Sequence, residues 1–374
     1  MNVLVIGGAG FIGSHTADAL AAKGHRVRIL DSLEPPVHTQ DWPAYLDERF
    51  ELMRGSITDR RALIGALDGI DAVFNFAAYQ DYMTDFSRFF MTNSVGTALL
   101  YEVIVDQRLR IKKVVTASSQ AVFGEGACRC AVHGPQQAQQ RSREQLDRGD
   151  WDVKCRLCGR TTELVPVEED SASPQNSYGL SKRLQEDIAL TLGKTYGIPS
   201  VALRYSIVQG PRQSLRNAYS GALRSFTMRA LCGRPLVLFE DGAQLRDYVS
   251  IHDVVRANLI ALEHPRAEYE SFNVGGDRQV SVRELARLVI EATDSACKPD
   301  APGMYRIGDS RHIVSNIWKL RQMGWAPLVP QDEIVNEYVA WARTEPGLRD
   351  AFEDAQRRMI DTGVVLQARK SEAA

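Results

Sequence analysis

The first half of the chain alternates short apolar runs with amphipathic stretches of helical period, a rhythm that predicts strands joined by helices. Met1 to Ile6, rich in Val and Ile, reads as a buried strand, followed by a glycine turn and an amphipathic helix through Ala22. Arg26 to Leu30 and Phe50 to Met53 read as strands, and Arg60 to Leu67 as a helix. Ala72 to Phe76 is a buried strand, Thr92 to Asp106 a long helix beginning near Asn93, and Lys113 to Ala117 the next strand. A helix after Pro174 runs towards Tyr196, and Ser200 to Tyr205 is again a strand. The predicted fold class is α/β, a doubly wound parallel sheet of Rossmann type, which binds ligands beyond the carboxyl ends of its strands.

The rhythm breaks twice. From Gly124 to about Pro166 the chain is rich in Gln and Arg with little apolar periodicity, and beyond Gly210-Pro211 the elements alternate less regularly. The expected organisation is a nucleotide-binding domain over 1–205, carrying an insert at 125–166. A smaller substrate-binding lobe over 206–345 is interleaved with the sheet, and 346–374 is a C-terminal helix or tail.

Chemistry concentrates at the strand ends. Gly7, Gly10 and Gly13 follow a G-x-x-G-x-x-G spacing between strand and helix. Such glycines permit a tight turn, a close backbone approach to a pyrophosphate and helix-on-strand packing, with the helix N-terminus facing the phosphates. Asp31 closes the second strand, where a carboxylate accepts the adenosine ribose hydroxyls and repels a 2′-phosphate, favouring NAD over NADP. Ala77-Ala78 and Ser118-Ser119 end later strands. Tyr178 and Lys182 stand four residues apart in Tyr-Gly-Leu-Ser-Lys, one helical turn. An ammonium beside a phenol favours the phenolate, so Lys182 is expected to help Tyr178 take a hydroxyl proton near neutral pH. In the second half, Arg246 and Arg306 are candidates to clamp a diphosphate.

Composition narrows the picture. Across 374 residues the formal charge is −2 with both signs interspersed, which argues against nucleic acid as a partner. No long apolar run suggests a membrane span and no leader precedes the first strand, so a cytoplasmic protein is expected. Of six cysteines, four bunch as Cys128, Cys130, Cys155 and Cys158. In a reducing compartment two close pairs point to a tetrahedral structural Zn²⁺ before disulfides, and the Cys-x-x-Cys-Gly half resembles a zinc-ribbon knuckle. His133 reads as a surface residue, since four thiolates already complete the site. Cys232 and Cys297 read as packing residues.

Taken in order, these motifs resemble the extended short-chain dehydrogenase/reductase family of nucleotide-sugar epimerases and dehydratases over nearly the whole chain outside the insert. The resemblance implies bound NAD, contacted by Gly7, Gly10, Phe11, Ile12, Asp31, Ser56, Ile57, Ala77, Ala78, Asn93, Tyr178, Lys182 and Tyr205. It makes Ser119, Tyr178 and Lys182 catalytic, and places Ser119, Gln120, Tyr178, Ile207, Gln209, Arg246 and Arg306 against a nucleotide-sugar. It further implies a homodimer, formed through the helices that begin near Asn93 and Tyr178. Family dehydratases carry an Asp-Glu pair directly after the catalytic Ser or Thr, whereas Gln120 and Ala121 stand here, which points to 4-epimerisation. Ser56 replaces a frequent Asp at the adenine, Ile207 an Asn and Gln209 a Tyr. The run Ser206 to Gln213, together with the cysteine insert, is similar to the dTDP-L-rhamnose 4-epimerase branch. UDP-hexose 4-epimerisation and net 4-keto reduction or dehydrogenation use the same triad and stay open; a non-catalytic NAD- or zinc-binding interaction protein would not need it intact.

Overall fold

The computed structural model describes residues 1–38, 41–81, 83–217, 221–346, 357 and 359–369. The expected rhythm appears as β1 (Asn2–Ile6), α1 (Phe11–Ala22), β2 (Arg26–Asp31), β3 (Glu51–Arg54), α2 (Arg60–Leu67) and β4 (Ala72–Asn75). The next helix begins earlier than expected: α3 (Phe86–Phe89) runs through a π-helical turn at Phe90–Val95 into α4 (Gly96–Asp106), before β5 (Lys113–Ser119). The 125–166 stretch folds as β6 (Ala127–Cys130), β7 (Gly134–Gln137), α5 (Arg143–Asp147) and β8 (Glu163–Val165).

Then come α6 (Ser177–Tyr196), β9 (Ser200–Tyr205), β10 (Ile207–Gln209), α7 (Gly221–Leu231), β11 (Leu236–Val237), β12 (Leu245–Ser250), α8 (Ile251–Glu263), β13 (Glu270–Val274) and β14 (Gln279–Ser281). The described remainder holds α9 (Val282–Thr293), β15 (Pro299–Asp300), β16 (Met304–Arg306), α10 (Trp318–Arg321), α11 (Gln331–Thr344) and β17 (Val365–Gln367). Most of the 346–374 tail lies outside the described residues.

A seven-stranded parallel sheet in the order β13-β9-β5-β4-β1-β2-β3 forms the scaffold. Wholly buried runs such as Val3–Ile6 and Val114–Val115 are what a parallel sheet covered on both faces demands. One face packs on α1 and α8, the other on α2, α4 and α6, giving two apolar cores. β13 brings a strand from beyond residue 206 into this sheet, while α7, α9 and α11 enclose a separate core over β12 and β14. The insert forms its own three-stranded antiparallel sheet, β7-β6-β8.

Helix ends follow from local chemistry. Asn176 caps α6 by accepting from the Gly179 amide at 2.8 Å, so Tyr178 starts in register. Gly197 terminates that helix with a left-handed φ of 67°.

Candidate active site

A continuous cleft of about 1760 Å³ runs over the carboxyl ends of the sheet, from the β1–α1 turn to β12 and the segment around Arg306. Its floor near β1 is a glycine cradle. A Cβ on Gly7 would lie 2.7 Å from the Ala77 nitrogen, and one on Gly13 only 2.3 Å from the Gly7 carbonyl oxygen. Gly7 also has a φ of 75°, so only glycine holds this turn without strain. The first amides of α1, at Phe11 and Ile12, follow an extended Gly10 and open on the cleft. Asp31 sits at the end of β2, with its carboxylate accepting from the Ala9 amide at 3.0 Å and the Leu33 amide at 2.9 Å. Ser56, Ile57, Ala77, Ala78 and Tyr205 line the same trough. A backbone cradle where side chains are excluded, facing helix amides and ending on a buried carboxylate, fits a dinucleotide.

Asn93 does not line the cleft. It is fully buried in the π-helical turn, where it accepts from the Tyr79 amide at 2.8 Å and donates to Ser181 Oγ at 2.9 Å. These bonds tie Tyr79 to α6.

At the centre of the cleft Ser119, Tyr178 and Lys182 converge. The Ser119 and Tyr178 hydroxyls share a hydrogen bond, and the Lys182 ammonium lies 5.9 Å from the Tyr178 ring centre. Lys182 Nζ donates to the Ala117 carbonyl and to Gln185 Oε1, each at 2.8 Å. Behind them, a bidentate Arg204–Glu186 pair at 2.6 and 2.9 Å, joined by Ser118 at 2.8 Å, ties β9, α6 and β5 into one unit. Burial pushes the Tyr178 phenol up to about 12, although its bond to Ser119 opposes this, and burial pushes the Lys182 ammonium down to about 7. Desolvation thus works against the phenolate that the Lys182 charge is expected to favour, and Lys182 also donates to Ala117 and Gln185.

Arg246 and Arg306 flank the far end. Arg246 is held by the carbonyls of Leu245, Ser310 and Arg311 at 2.7 to 3.0 Å. Arg306 donates to Asp309 at 2.7 Å and stacks 4.9 Å over the Phe239 ring. Gln120 and Ile207 line the cleft, but Gln209 does not: it is buried and accepts from Gln331 at 2.7 Å across the start of α11. Several lining residues had no sequence signal, among them Phe239, His38, Tyr45, Arg212 and Trp341. They are single side chains on loops or distant helices, without a motif around them.

The cysteine set is also corrected. Cys130, Cys155, Cys158 and His133 gather their ligand atoms within 4.8 Å of one another, and Cys128 is not among them. Cys128 packs instead with Ala138 and Val153 in a small core, its thiol bonded to Thr162.

Residues 3–143 and 155–275 match the NAD dependent epimerase/dehydratase family, a match that omits part of the insert and includes all three central residues. The chain belongs to that family. It is 32% identical to a dTDP-L-rhamnose 4-epimerase of Burkholderia thailandensis over 92% of this chain and 95% of that one. It is 28% identical to a putative UDP-glucose 4-epimerase of Methanocaldococcus jannaschii, over 91% and 98%. Among solved structures, UDP-glucose 4-epimerase of Thermotoga maritima with UDP-glucose superposes at a TM-score of 0.75, with 29% identity over 92% and 99% of the two chains. The Thermus thermophilus UDP-glucose 4-epimerase complex with NAD gives 0.71, with 27% identity over 92% and 99%.

Proposed function

We propose that this family member is an NAD-dependent nucleotide-sugar 4-epimerase, acting on dTDP-L-rhamnose to give dTDP-6-deoxy-L-talose. The observation that carries the reading is the joined Ser119–Tyr178–Lys182 set beside a position where Gln120 and Ala121 offer no acid-base pair. Without such a pair, expelling the C6 hydroxyl as a dehydratase does has no catalyst, while proton transfer at C4 does. NAD supplies hydride acceptance and return, so no external oxidant is consumed over a cycle. Ser119 would orient the C4 hydroxyl and Tyr178 would take its proton, while the C4 hydride would be accepted by the NAD that the glycine cradle and Asp31 would hold. For the C4 configuration to invert, the sugar would turn in the pocket before hydride is returned, and Tyr178 would give the proton back to the C4 oxygen. Arg246 and Arg306 anchor the diphosphate while Ile207, Val208 and Ala121 leave the hexose loosely held, an apolar surface suited to a 6-deoxysugar.

Purified protein without added cofactor, given a panel of dTDP- and UDP-sugars, should interconvert C4 epimers of dTDP-L-rhamnose as read by NMR. Turnover of UDP-glucose alone would shift the reading to a UDP-hexose 4-epimerase, the activity named for several relatives. Accumulation of a 4-keto product with stoichiometric NADH would make it a dehydrogenase.

Asp31 sets cofactor choice in this reading. A 2′-phosphate beside its carboxylate meets like-charge repulsion in a buried site, so titration should show NAD binding at least roughly 100-fold tighter than NADP, the size of a 3 kcal/mol penalty. Equal affinities would show that the adenosine ribose lies elsewhere. A homodimer is part of the proposal: Met91 and Val95, with Leu180 and Leu184, form exposed apolar pairs on the adjoining α3–α4 and α6 helices. The reading also includes one structural Zn²⁺ in the insert, away from the chemistry.

A further inference from the structure

The insert is poor in apolar contacts. Its own core is Cys128, Ala138 and Val153, and the neighbouring Leu146 and Trp151 pack outward against Tyr305, Leu366 and Ala368. A segment of about 40 residues with so little to bury needs a cross-link or a metal to hold one shape. At the outer end of its sheet two turns face each other. One joins β6 to β7 and carries Cys130-x-x-His133; the other precedes β8 and carries Cys155-x-x-Cys158. In both, the amide two residues on donates to the first sulfur at 3.4 Å, from Val132 to Cys130 and from Leu157 to Cys155. The turns are thus matched in spacing and in their backbone bonds to sulfur.

The distances between them discriminate among cross-links. Cys130 and Cys158 sulfurs are 3.8 Å apart, and His133 Nδ1 lies 3.7 Å from Cys130 Sγ and 3.5 Å from Cys155 Sγ. A disulfide requires about 2.05 Å between sulfurs. A Zn²⁺ at about 2.3 Å from sulfur and about 2.05 Å from nitrogen, with tetrahedral angles, sets ligand separations of roughly 3.8 Å for two sulfurs and roughly 3.6 Å for sulfur and nitrogen. Gln136 Nε2 adds an outer donor to Cys155 Sγ at 3.2 Å, the kind of bond that orients a thiolate ligand. We propose that Cys130, His133, Cys155 and Cys158 form a closed, tetrahedral Zn²⁺ site, with Cys128 outside it.

Such a site has no open position for water or substrate, so its work is mechanical. The body of the insert reaches the diphosphate end of the cleft through Arg141, which is buried. Arg141 donates to Glu125 and Glu240 at 2.8 Å and to the Asp309 carbonyl at 2.6 Å. Arg311 meets the same Glu240 at 2.9 Å, and the Arg311 amide donates to Glu125 at 2.7 Å. Asp309 is the carboxylate that holds Arg306. The metal therefore fixes a platform from which the insert holds the Arg306 segment. This deepens the structural Zn²⁺ included in the reading above, and its test reads metal rather than turnover.

Elemental analysis of the full-length purified protein should find about one Zn per chain. Exchange with Co²⁺ should give the thiolate charge-transfer and ligand-field bands of a tetrahedral three-sulfur, one-nitrogen site. His133→Ala and Cys155→Ser should each lose most of the metal while keeping their NAD content, which reports an intact main sheet. Cys128→Ala should retain it. Protein without metal whose thiols all react freely would overturn the proposal, as would a Cys128→Ala protein that loses Zn beside a His133→Ala protein that keeps it. If Cys155→Ser is insoluble, the His133→Ala and Cys128→Ala pair alone decides the ligand set.

Discussion

Tyr178→Phe should abolish epimerisation while leaving bound NAD in place. The substitution deletes one oxygen, the one that shares a hydrogen bond with Ser119, and keeps the buried ring that packs beside Lys182. Proton transfer by a positioned side chain contributes roughly 100- to 10,000-fold, and phenylalanine has no proton to transfer. Assay of C4 exchange on the purified variant, with its cofactor content measured by absorbance after denaturation, separates chemistry from binding. A variant that still turns over at the wild-type rate would remove the mechanism, whereas one that has lost its NAD would place the phenol in cofactor binding.

Lys182→Met should lower the rate by roughly 100-fold or more and weaken cofactor retention, yet alter stability in the opposite sense at neutral pH. Burial holds the Lys182 ammonium at about 7 in the folded chain, against an ordinary value of 10.5. Between those values the unfolded chain carries a proton that the folded chain lacks, so stability rises with pH through that window. Below about pH 7 the folded protein must charge a buried group held by the Ala117 carbonyl and Gln185. Roughly 5 kcal/mol of pH-linked stability is at stake across the window. Methionine removes that dependence. Urea midpoints from pH 6 to 10 should climb for the wild type and be flatter for Lys182→Met, and parallel curves would show that Lys182 is not desolvated as described.

Much of this site could be read from the chain because its parts are local. The glycine turn is a spacing within seven residues, Asp31 is the last residue of its strand, and Tyr178 and Lys182 share one helical face. The parts that escaped depend on distant partners. Gln209 pairs with Gln331, 122 residues away, and Asn93 is claimed by Tyr79 and Ser181. Spacing shows that Lys182 and Tyr178 meet, and not how deeply both are buried. In the insert, Cys128 and Cys130 form a conspicuous pair in sequence. Two residues along a strand are about 7 Å apart, however, and of this pair it is Cys130 that reaches the turn where His133, Cys155 and Cys158 gather. The signal was present in another form: Cys130-x-x-His133 repeats the spacing of Cys155-x-x-Cys158.

The strand that carries Arg306 has a consequence for biosynthesis. β16 pairs antiparallel with β17, Arg306 opposite Val365, and Ala368 donates to the Gly303 carbonyl at 3.0 Å. During synthesis Arg306 therefore leaves the ribosome about 60 residues ahead of the strand that pairs with it, and this end of the cleft is completed only when residues 365–368 follow.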